Sequence, residues 1–520
     1  MTVEGLPEST VNLTEPTCQA GRAAKPEIAS GSAGLDLALL DLAVEAAVLV
    51  FSVPVFAYSA YTVVLFAGSA AYKAPPMSGP LSPLPKLSVL LAVYDEREVV
   101  GETLAALDAL DYPRDRLQVV VADDSDDGTS EVVDGAAARM RAEGVDFLVS
   151  RRNGREGFKA GAMNAAMASV SGEYTLLLDA DSRVSSESVA DGVRTLVGGD
   201  LSFVSFRVGH YNRETNLVTR SYALFQDTVD GLQKMGSTPL GLPYSLQGGF
   251  VLARTDALRQ VGLWKEGMLT EDAELSCRLF ASGLKGGYLS GDQLLSEDPS
   301  SLRVWKRQAA RVAQGWSQCL RLDLGVVLLS KKLDPFRKLG LLLTLLSPFA
   351  SLSWIVVSLL TASAVFFRLV SPQSSLFSNP AYVVAVTVPA AVFYAAGANA
   401  LRIRKMLTPR NLWLLPVLSY TVSGMFTISA IAFLRGLFSD KGTFFRTPKT
   451  GGRAVAKSDA QPGEGRGVLF AEGVLSVASL ALAVPMSLVG QYFLSLSLLG
   501  FGAVTLKSME LSRFFEGGRR

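Results

Sequence analysis

The chain of 520 residues contains a single histidine, His210. A Ser-His-Asp triad would have to be built around that one residue, and a zinc site drawing on several imidazoles is excluded. Cysteine is almost as scarce. Cys18, Cys277 and Cys319 are far apart and odd in number, which fits neither a disulfide framework nor a Cys-x-x-Cys metal site. Cys277 and Cys319 fall in what reads as a cytosolic domain and are expected reduced. A charge surplus is also missing: 49 Lys plus Arg stand against 48 Asp plus Glu, a net charge of +1. Without a basic excess to track phosphates, nucleic acid is excluded as a partner. Chemistry therefore falls to carboxylates.

What the chain has in abundance is apolar surface. Hydrophobic types make up 49% and charged types 19%, with a mean hydropathy of +0.30, so part of the protein faces lipid. Residues 1–35 are rich in Glu, Pro, Ser, Thr and Gly and read as a disordered arm. Within 36–72, the stretch from Ala46 to Ala71 carries no charge, and about 26 residues span roughly 30 Å of hydrocarbon. It reads as a transmembrane helix; a cleaved signal peptide is the alternative, disfavoured by its distance from Met1 and its length. A proline-rich linker, 73–85, cannot continue a helix. The soluble domain follows at 86–335.

In that domain, apolar runs at Leu87 to Val93, Leu117 to Ala122, Tyr174 to Leu178 and Leu201 to Val208 alternate with segments of helical period. Such alternation implies an α/β fold with a mostly parallel sheet. Apolar segments return at 339–367, 381–400, 411–434, 468–486 and 488–506. They divide into transmembrane or interfacial helices over 336–434, a basic cytosolic loop over 435–466, two membrane segments over 467–508, and a basic tail, 509–520. Arg402, Arg404, Lys405 and Arg410 mark one cytoplasmic loop, and Arg435, Lys441, Arg446, Lys449 and Arg453 another. Both ends of 411–434 then lie on one side, so that segment is expected to be re-entrant or interfacial, bent at Pro416. The protein is expected to be a multi-pass component of the cell membrane, in contact with its lipid, with the sheet domain in the cytoplasm.

In an open α/β sheet, ligands collect at the carboxyl ends of the strands. Acids stand there: Asp95 and Glu96 after the first strand, Asp123, Asp124, Asp126 and Asp127 after the second, Asp179 and Asp181 after the third of those runs. Taken singly they read as N-caps and turns. Together they form a cluster of like charge that calls for a cation or a ligand's donors. Asp179-x-Asp181 suits a hard divalent cation, Mg2+ or Mn2+, bridging to phosphate oxygens. The loop Arg151 to Asn164 sets Arg151, Arg152, Arg155 and Lys159 among glycines and can close over an anion. Thr270, Glu271 and Asp272 open an amphipathic helix, either as cap and first-turn acids or as catalytic groups.

Asp123, Gly157 to Asn164, Asp179-x-Asp181 and Thr270-Glu271-Asp272, in that order, resemble the family-2 glycosyltransferases, and most closely their membrane-embedded synthases of the cellulose, mannan and hyaluronan type. The likeness covers roughly residues 86–325. It implies a GT-A domain, Rossmann-like, inserted between α-helical transmembrane segments, and a metal-dependent, inverting hexosyltransferase. Residue by residue, it implies that Asp123 meets the nucleotide base, Lys159 and Asp179 the nucleotide or its diphosphate, with Asp95 beside them, and Asp181 the metal. Asp272 is then the general base for the acceptor hydroxyl, next to Glu271. Gln308-Ala309-Ala310-Arg311-Val312 resembles a Gln-x-x-Arg-Trp motif whose arginine meets the diphosphate. Val312 replaces the tryptophan, and Trp305 and Trp316 are the nearby aromatic candidates for an acceptor platform or for helix packing. Phe444 to Lys449 resembles a gating loop, in which Thr447 and Lys449 meet the diphosphate.

The resemblance implies a nucleotide-sugar donor, UDP-linked by preference and GDP-linked as the alternative, and a growing β-linked polysaccharide as acceptor, with export through the membrane helices. A single sugar passed to a ceramide or polyprenyl-phosphate lipid is the enzymatic alternative; a transporter or scaffold with an inactive nucleotide-binding domain is the non-enzymatic one. A homo-oligomer or an export partner would accompany the first reading. Sugar discrimination is expected around Gln247, Gly248 and Gly249.

Overall fold

The structure is a computed structural model and describes residues 30–366, 380–439, 449, 466–488, 499 and 502–503. Its centre is a sheet of seven strands in the order β3-β2-β1-β4-β6-β5-β7. β1 is Leu87–Val93, β2 Leu117–Asp123, β3 Asp146–Ser150, β4 Tyr174–Asp179, β5 Phe203–His210, β6 Phe250–Arg254 and β7 Gly286–Ser296. Four neighbouring pairs are parallel, and β6 runs antiparallel to both β4 and β5. The mostly parallel α/β sheet expected from the pattern is thus present.

Every residue of β1 and β2 is buried, because both faces are covered. Side chains alternate across a strand, so Leu87, Val89, Leu91 and Val93 join one core and Leu90 and Ala92 the other. The first core is closed by α2 (Arg97–Asp108), α3 (Thr129–Ala142) and α5 (Ser186–Gly198). The second is closed by α4 (Phe158–Met167), α7 (Thr255–Gln260), α8 (Glu271–Ala281) and α9 (Leu302–Leu329). Each fully buried Leu or Val in these layers contributes roughly 1.5–3 kcal/mol relative to exposure.

Three strands escaped the sequence reading. β3 is short and partly exposed, and β7 carries Gly286, Gly287, Ser290 and Gly291, which interrupt the apolar pattern. β6, Phe250–Arg254, is an antiparallel insertion in an otherwise parallel series, and alternation with helices gives no sign of it.

α1 is one helix from Ser30 to Ala70. It starts inside the segment that composition assigned to an arm, because a helix already nucleated further along gains one hydrogen bond for each residue added; residues 1–29 lie outside the described residues. α1 packs on α6 (Leu217–Ser237) through two glycines. A Cβ on Gly68 would sit 2.3 Å from the Gly236 carbonyl oxygen, and one on Gly236 would sit 2.3 Å from that of Leu65, so only glycine permits this approach.

Among the described residues, Ala46–Ala70 is the one helix long and apolar enough to cross a membrane, and up to three spans result if each bent pair counts as one. The first bent pair, α10 (Pro335–Leu345) with Ser347–Leu360, turns by 62°. The second, Pro409–Ser423 with Phe426–Phe438, turns by 42°, so the segment expected to be irregular is broken. The break lies at Gly424 and Met425, not at Pro416, which sits in the first turn of the helix Leu414–Ser423. There its missing N–H has no partner to lose. Two further helices, Pro380–Ile403 and Arg466–Leu488, complete the described part; most of 435–466 and of 489–508 lies outside it.

Candidate active site

The register of the parallel strands brings the acids to one edge. Val93 is level with Asp123 across β1 and β2, and Ala92 is level with Asp179 across β1 and β4. The Asp123 carboxylate is fully enclosed and accepts from Ser125 N–H at 3.1 Å, Ser130 Oγ at 2.6 Å and Arg151 Nε at 3.0 Å. Burial raises its pKa, but the hydrogen bonds from Ser130, Ser125 and Arg151 outweigh it and hold the carboxyl below its ordinary range. Asp95, at φ 52°, accepts from Asp126 N–H at 3.1 Å and ties the ends of β1 and β2 together. These two acids stand behind the wall of a large cavity; Tyr94, Glu96 and Asp124 form the wall itself.

The basic loop divides its cations. Arg151 is bound to Asp123 and Asp134, and Arg152 to Asp124 at 2.5 Å and to the Glu156 carbonyl at 2.7 Å. These two arginines fix the loop to the strand ends. Arg155 and Lys159 reach the cavity, Arg155 with its guanidinium 3.3 Å from the centre of the Tyr94 ring.

Lys159 Nζ donates to Asp179 Oδ1 at 2.6 Å and lies 3.5 Å from Glu271 Oε1. Burial opposes its charge, but Asp179, Glu271 and Asp272 outweigh burial and keep the ammonium protonated. Asp272 accepts from Gly248 N–H at 2.9 Å and from Ala273 N–H at 2.8 Å. Burial first, and the charge of Glu271 second, push its carboxyl up to about 6, against the pull of Arg311 and Lys159. A carboxylate poised there takes a proton at neutral pH more readily than an ordinary one. Thr270, at the start of α8, makes no side-chain cap; its hydroxyl lies 3.8 Å from Cys319 Sγ. The close fit depends on Gly248 and Gly249: a Cβ on Gly249 would meet Asp179 Oδ2 at 2.5 Å and its backbone N at 2.7 Å.

Asp181 is buried and accepts on Oδ2 from Ser296 Oγ at 2.8 Å, Glu297 N–H at 2.9 Å and Lys449 Nζ at 2.7 Å. Burial raises this carboxyl, but Lys449, Glu297 and Ser296 outweigh it and hold it ionised. Lys449 also donates to the Glu297 carbonyl at 2.8 Å. Two carboxylates two residues apart at a strand end are a hard oxygen donor set of the kind Mg2+ or Mn2+ takes. No cluster of three or more His, Cys, Asp or Glu able to hold a metal occurs among the described residues. A cation at Asp181 therefore competes with Lys449 and needs ligand oxygens to complete its shell. Thr447 lies outside the described residues.

α9 brings Trp305, Gln308, Arg311, Val312 and Trp316 to the same cavity. Arg311 Nη1 donates to the Leu269 carbonyl at 2.9 Å, directly before the Thr270-Glu271-Asp272 turn. Trp305 is 2% exposed, edge-on to Tyr222 at 5.2 Å and tilted against Phe225 at 5.6 Å; its ring is packed, whereas Trp316 is only partly buried. The cavity, about 1520 Å³, runs from these groups to Ser52, Phe56 and Ser59 of α1 and to Trp354 and Phe426 of the apolar helices.

Several participants were missed in the sequence. Ser296, Glu297 and Asp298 follow the rule of acids at a strand end, but β7 itself was not recognised. His210 was given no role; its Nδ1 lies 2.8 Å from Asp298 Oδ1 and its Nε2 3.7 Å from Asp227. Asp227 in turn takes a bidentate contact from Arg404, as close as 2.5 Å, and faces Arg207 and Arg213 at 3.4 Å. Asp227 had no sequence signal, since it lies inside a helical pattern.

Residues 85–315 match the family model Glycosyltransferase like family 2. The chain is 28% identical over 263 residues to glucomannan 4-beta-mannosyltransferase 1 of Oryza sativa subsp. japonica, covering 50% of each protein. It is 27% identical over 366 residues to the probable glucomannan 4-beta-mannosyltransferase 7 of the same plant, covering 69% of this chain and 60% of that protein. The chain spans less than two thirds of the length of these relatives. Among solved structures, it resembles the mannosyltransferase PcManGT from Pyrobaculum calidifontis in complex with GDP-Man and Mn2+, with a TM-score of 0.46 and 19% identity over 70% of this chain and 99% of that one. Asp123, Lys159, Asp179-x-Asp181 and Thr270-Glu271-Asp272 all fall inside residues 85–315, the segment that matches the family-2 glycosyltransferase model.

Proposed function

We propose that the protein is a membrane-integrated, inverting glycosyltransferase that moves a sugar from a nucleoside-diphosphate sugar to a growing β-linked polysaccharide. The observation that carries the reading is the single cavity that joins Lys159, Asp179 and Asp272 to the apolar helices. The names of the curated relatives point to mannose. A mannosyl donor is carried on GDP, the alternative of the sequence reading, in place of the UDP preferred there. The catalytic domain lies in the cytoplasm, where nucleotide sugars are, and the protein crosses the membrane more than once.

Each group then has a task. Lys159, Arg311 and Lys449 hold the diphosphate, and Arg155 with Tyr94 borders the nucleotide. Asp272 removes the proton of the acceptor hydroxyl as that oxygen attacks the anomeric carbon opposite the leaving diphosphate, so the configuration inverts without a protein nucleophile. Asp179 and Asp181 would hold a divalent cation together with phosphate oxygens, and its charge would neutralise the leaving diphosphate. Gly248 N–H keeps Asp272 oriented.

The test is product length. Membranes containing the protein are incubated with labelled GDP-mannose, then with UDP-glucose and UDP-N-acetylglucosamine, and the products are sized. A polymer degraded by an endo-β-mannanase is expected. A single-sugar product that partitions into organic solvent would sink the polymer reading and favour the lipid acceptor, for which the apolar lining by Val55, Phe56, Val357 and Phe426 gives room.

A further inference from the structure

Asp230 and Lys234 lie outside every motif discussed above, yet both line the cavity together with Gln247, where sugar discrimination was expected. Lys234 and Asp230 are one helical turn apart on α6, both about as buried as side chains become, and 3.2 Å from each other. Withdrawing such a pair from water is costly unless its remaining hydrogen-bonding capacity is used. Part of it is used on Gln247: Lys234 Nζ donates to Gln247 Oε1 at 2.8 Å.

That bond has a chemical consequence. An ammonium has three donors and no acceptor, so it selects which end of the Gln247 amide is oxygen. The NH2 end is left as the donor, and no described residue accepts from it. Gln247 precedes Gly248, whose N–H holds Asp272 Oδ2 at 2.9 Å. A donor of fixed polarity therefore stands on the cavity wall against Lys234 of α6, next to the glycine that holds the base.

We propose that Gln247, oriented by the Lys234–Asp230 pair, is an acceptor-binding residue. Its amide NH2 donates to a hydroxyl oxygen of the terminal acceptor sugar, beside the hydroxyl whose proton goes to Asp272. The assignment rests on the glycosyl-transfer reading above. A hydroxyl of the donor sugar offers the same chemistry, and the test separates the two.

The full chain, in nanodiscs, is assayed with GDP-mannose as donor and a short β-linked manno-oligosaccharide as acceptor, and KM is measured for each. Gln247→Ala and the nearly isosteric Gln247→Glu each raise the acceptor KM about fivefold to tenfold, the span expected for one hydrogen bond. The donor KM moves by less than about twofold. Lys234→Met, which frees the amide to turn over, raises the acceptor KM in the same direction. Gln247 is half-buried on the cavity wall, so its variants remain folded even if the loss of Lys234 beside Asp230 proves too costly. An acceptor KM within about twofold of wild type in both Gln247 variants overturns the assignment, as does a rise in the donor KM alone. A wild-type protein that passes no sugar to any acceptor overturns the transfer reading itself, and this assignment with it.

Discussion

Lys449 Nζ lies 2.7 Å from Asp181 Oδ2, across 268 positions of sequence. The ammonium stands where a divalent cation would be drawn, so the two compete for one carboxylate. Lys449→Ala is expected to lower the Mn2+ concentration needed for half-maximal activity about fivefold to tenfold, as for one charge-assisted hydrogen bond removed. Donor KM rises in the same variant, because the diphosphate loses a cation. A Mn2+ titration at saturating donor reads the first effect; an unaltered metal requirement would separate Lys449 from the metal.

The second expectation concerns Asp272. Its carboxyl is pushed up to about 6, and a general base acts only when ionised, so kcat rises with pH through that value and is level above it. Asp272→Asn lowers kcat by about 100-fold or more while nucleotide binding, followed by thermal shift, persists. The sign for stability is opposite. A carboxyl whose pKa is higher in the folded state favours folding when protonated, and that contribution is lost as pH rises through about 6. The asparagine variant is thus expected to melt higher than wild type at neutral pH.

Gly249 offers a steric test. Replacing it by alanine puts a methyl group 2.7 Å from the Asp179 backbone nitrogen, which β4 cannot yield. A loss of roughly 1–3 kcal/mol in stability is expected from such overpacking, with kcat/KM falling at least about tenfold as Asp179 is displaced from Lys159. Wild-type kinetics in Gly249→Ala would show that the close approach is unimportant.

Asp227 answers for several cations at once. Burial raises its pKa, but His210 and Arg404 outweigh burial and hold it well below the ordinary carboxylate range. Such a group adds stability above the unfolded value of 3.8, and that stability is lost as pH falls through the lowered folded value. Asp227→Asn leaves Arg404, Arg207 and Arg213 facing a neutral amide. A cost of about 3–5 kcal/mol is expected, read as a drop in melting temperature and a loss of the acid-dependent part of unfolding.

The parallel half of the sheet was legible because β1, β2 and β4 are continuous apolar runs, each followed at once by acids. Those acids gave the resemblance, and the resemblance gave Lys159 and Asp272. Residues whose importance comes from a distant partner were not legible. Asp227 looks like any helical aspartate until Arg404, 177 positions later, closes on it. Asp123 shows the converse: its place at a strand end was foreseen, but not its enclosure by Ser125, Ser130 and Arg151, since nothing local reveals that the neighbouring loop spends its arginines inward. The bend of the segment 411–434 was foreseen from charge parity and misplaced at Pro416, because a proline in a first turn is compatible with a helix.

The contact between Arg404 and Asp227 also bears on where this protein could be cut. The family match ends at residue 315, as if the sheet domain were a module with the helices appended. Yet the nearest of the cations around a buried aspartate in that module, Asp227, comes from beyond residue 400, and Arg404 further donates to the Val208 carbonyl at the end of β5. A fragment trimmed to the family boundaries would keep Asp227 with Arg207 and Arg213 at 3.4 Å and lose the bidentate contact from Arg404. The segment that the family match delimits is here smaller than the unit that completes this buried charge cluster.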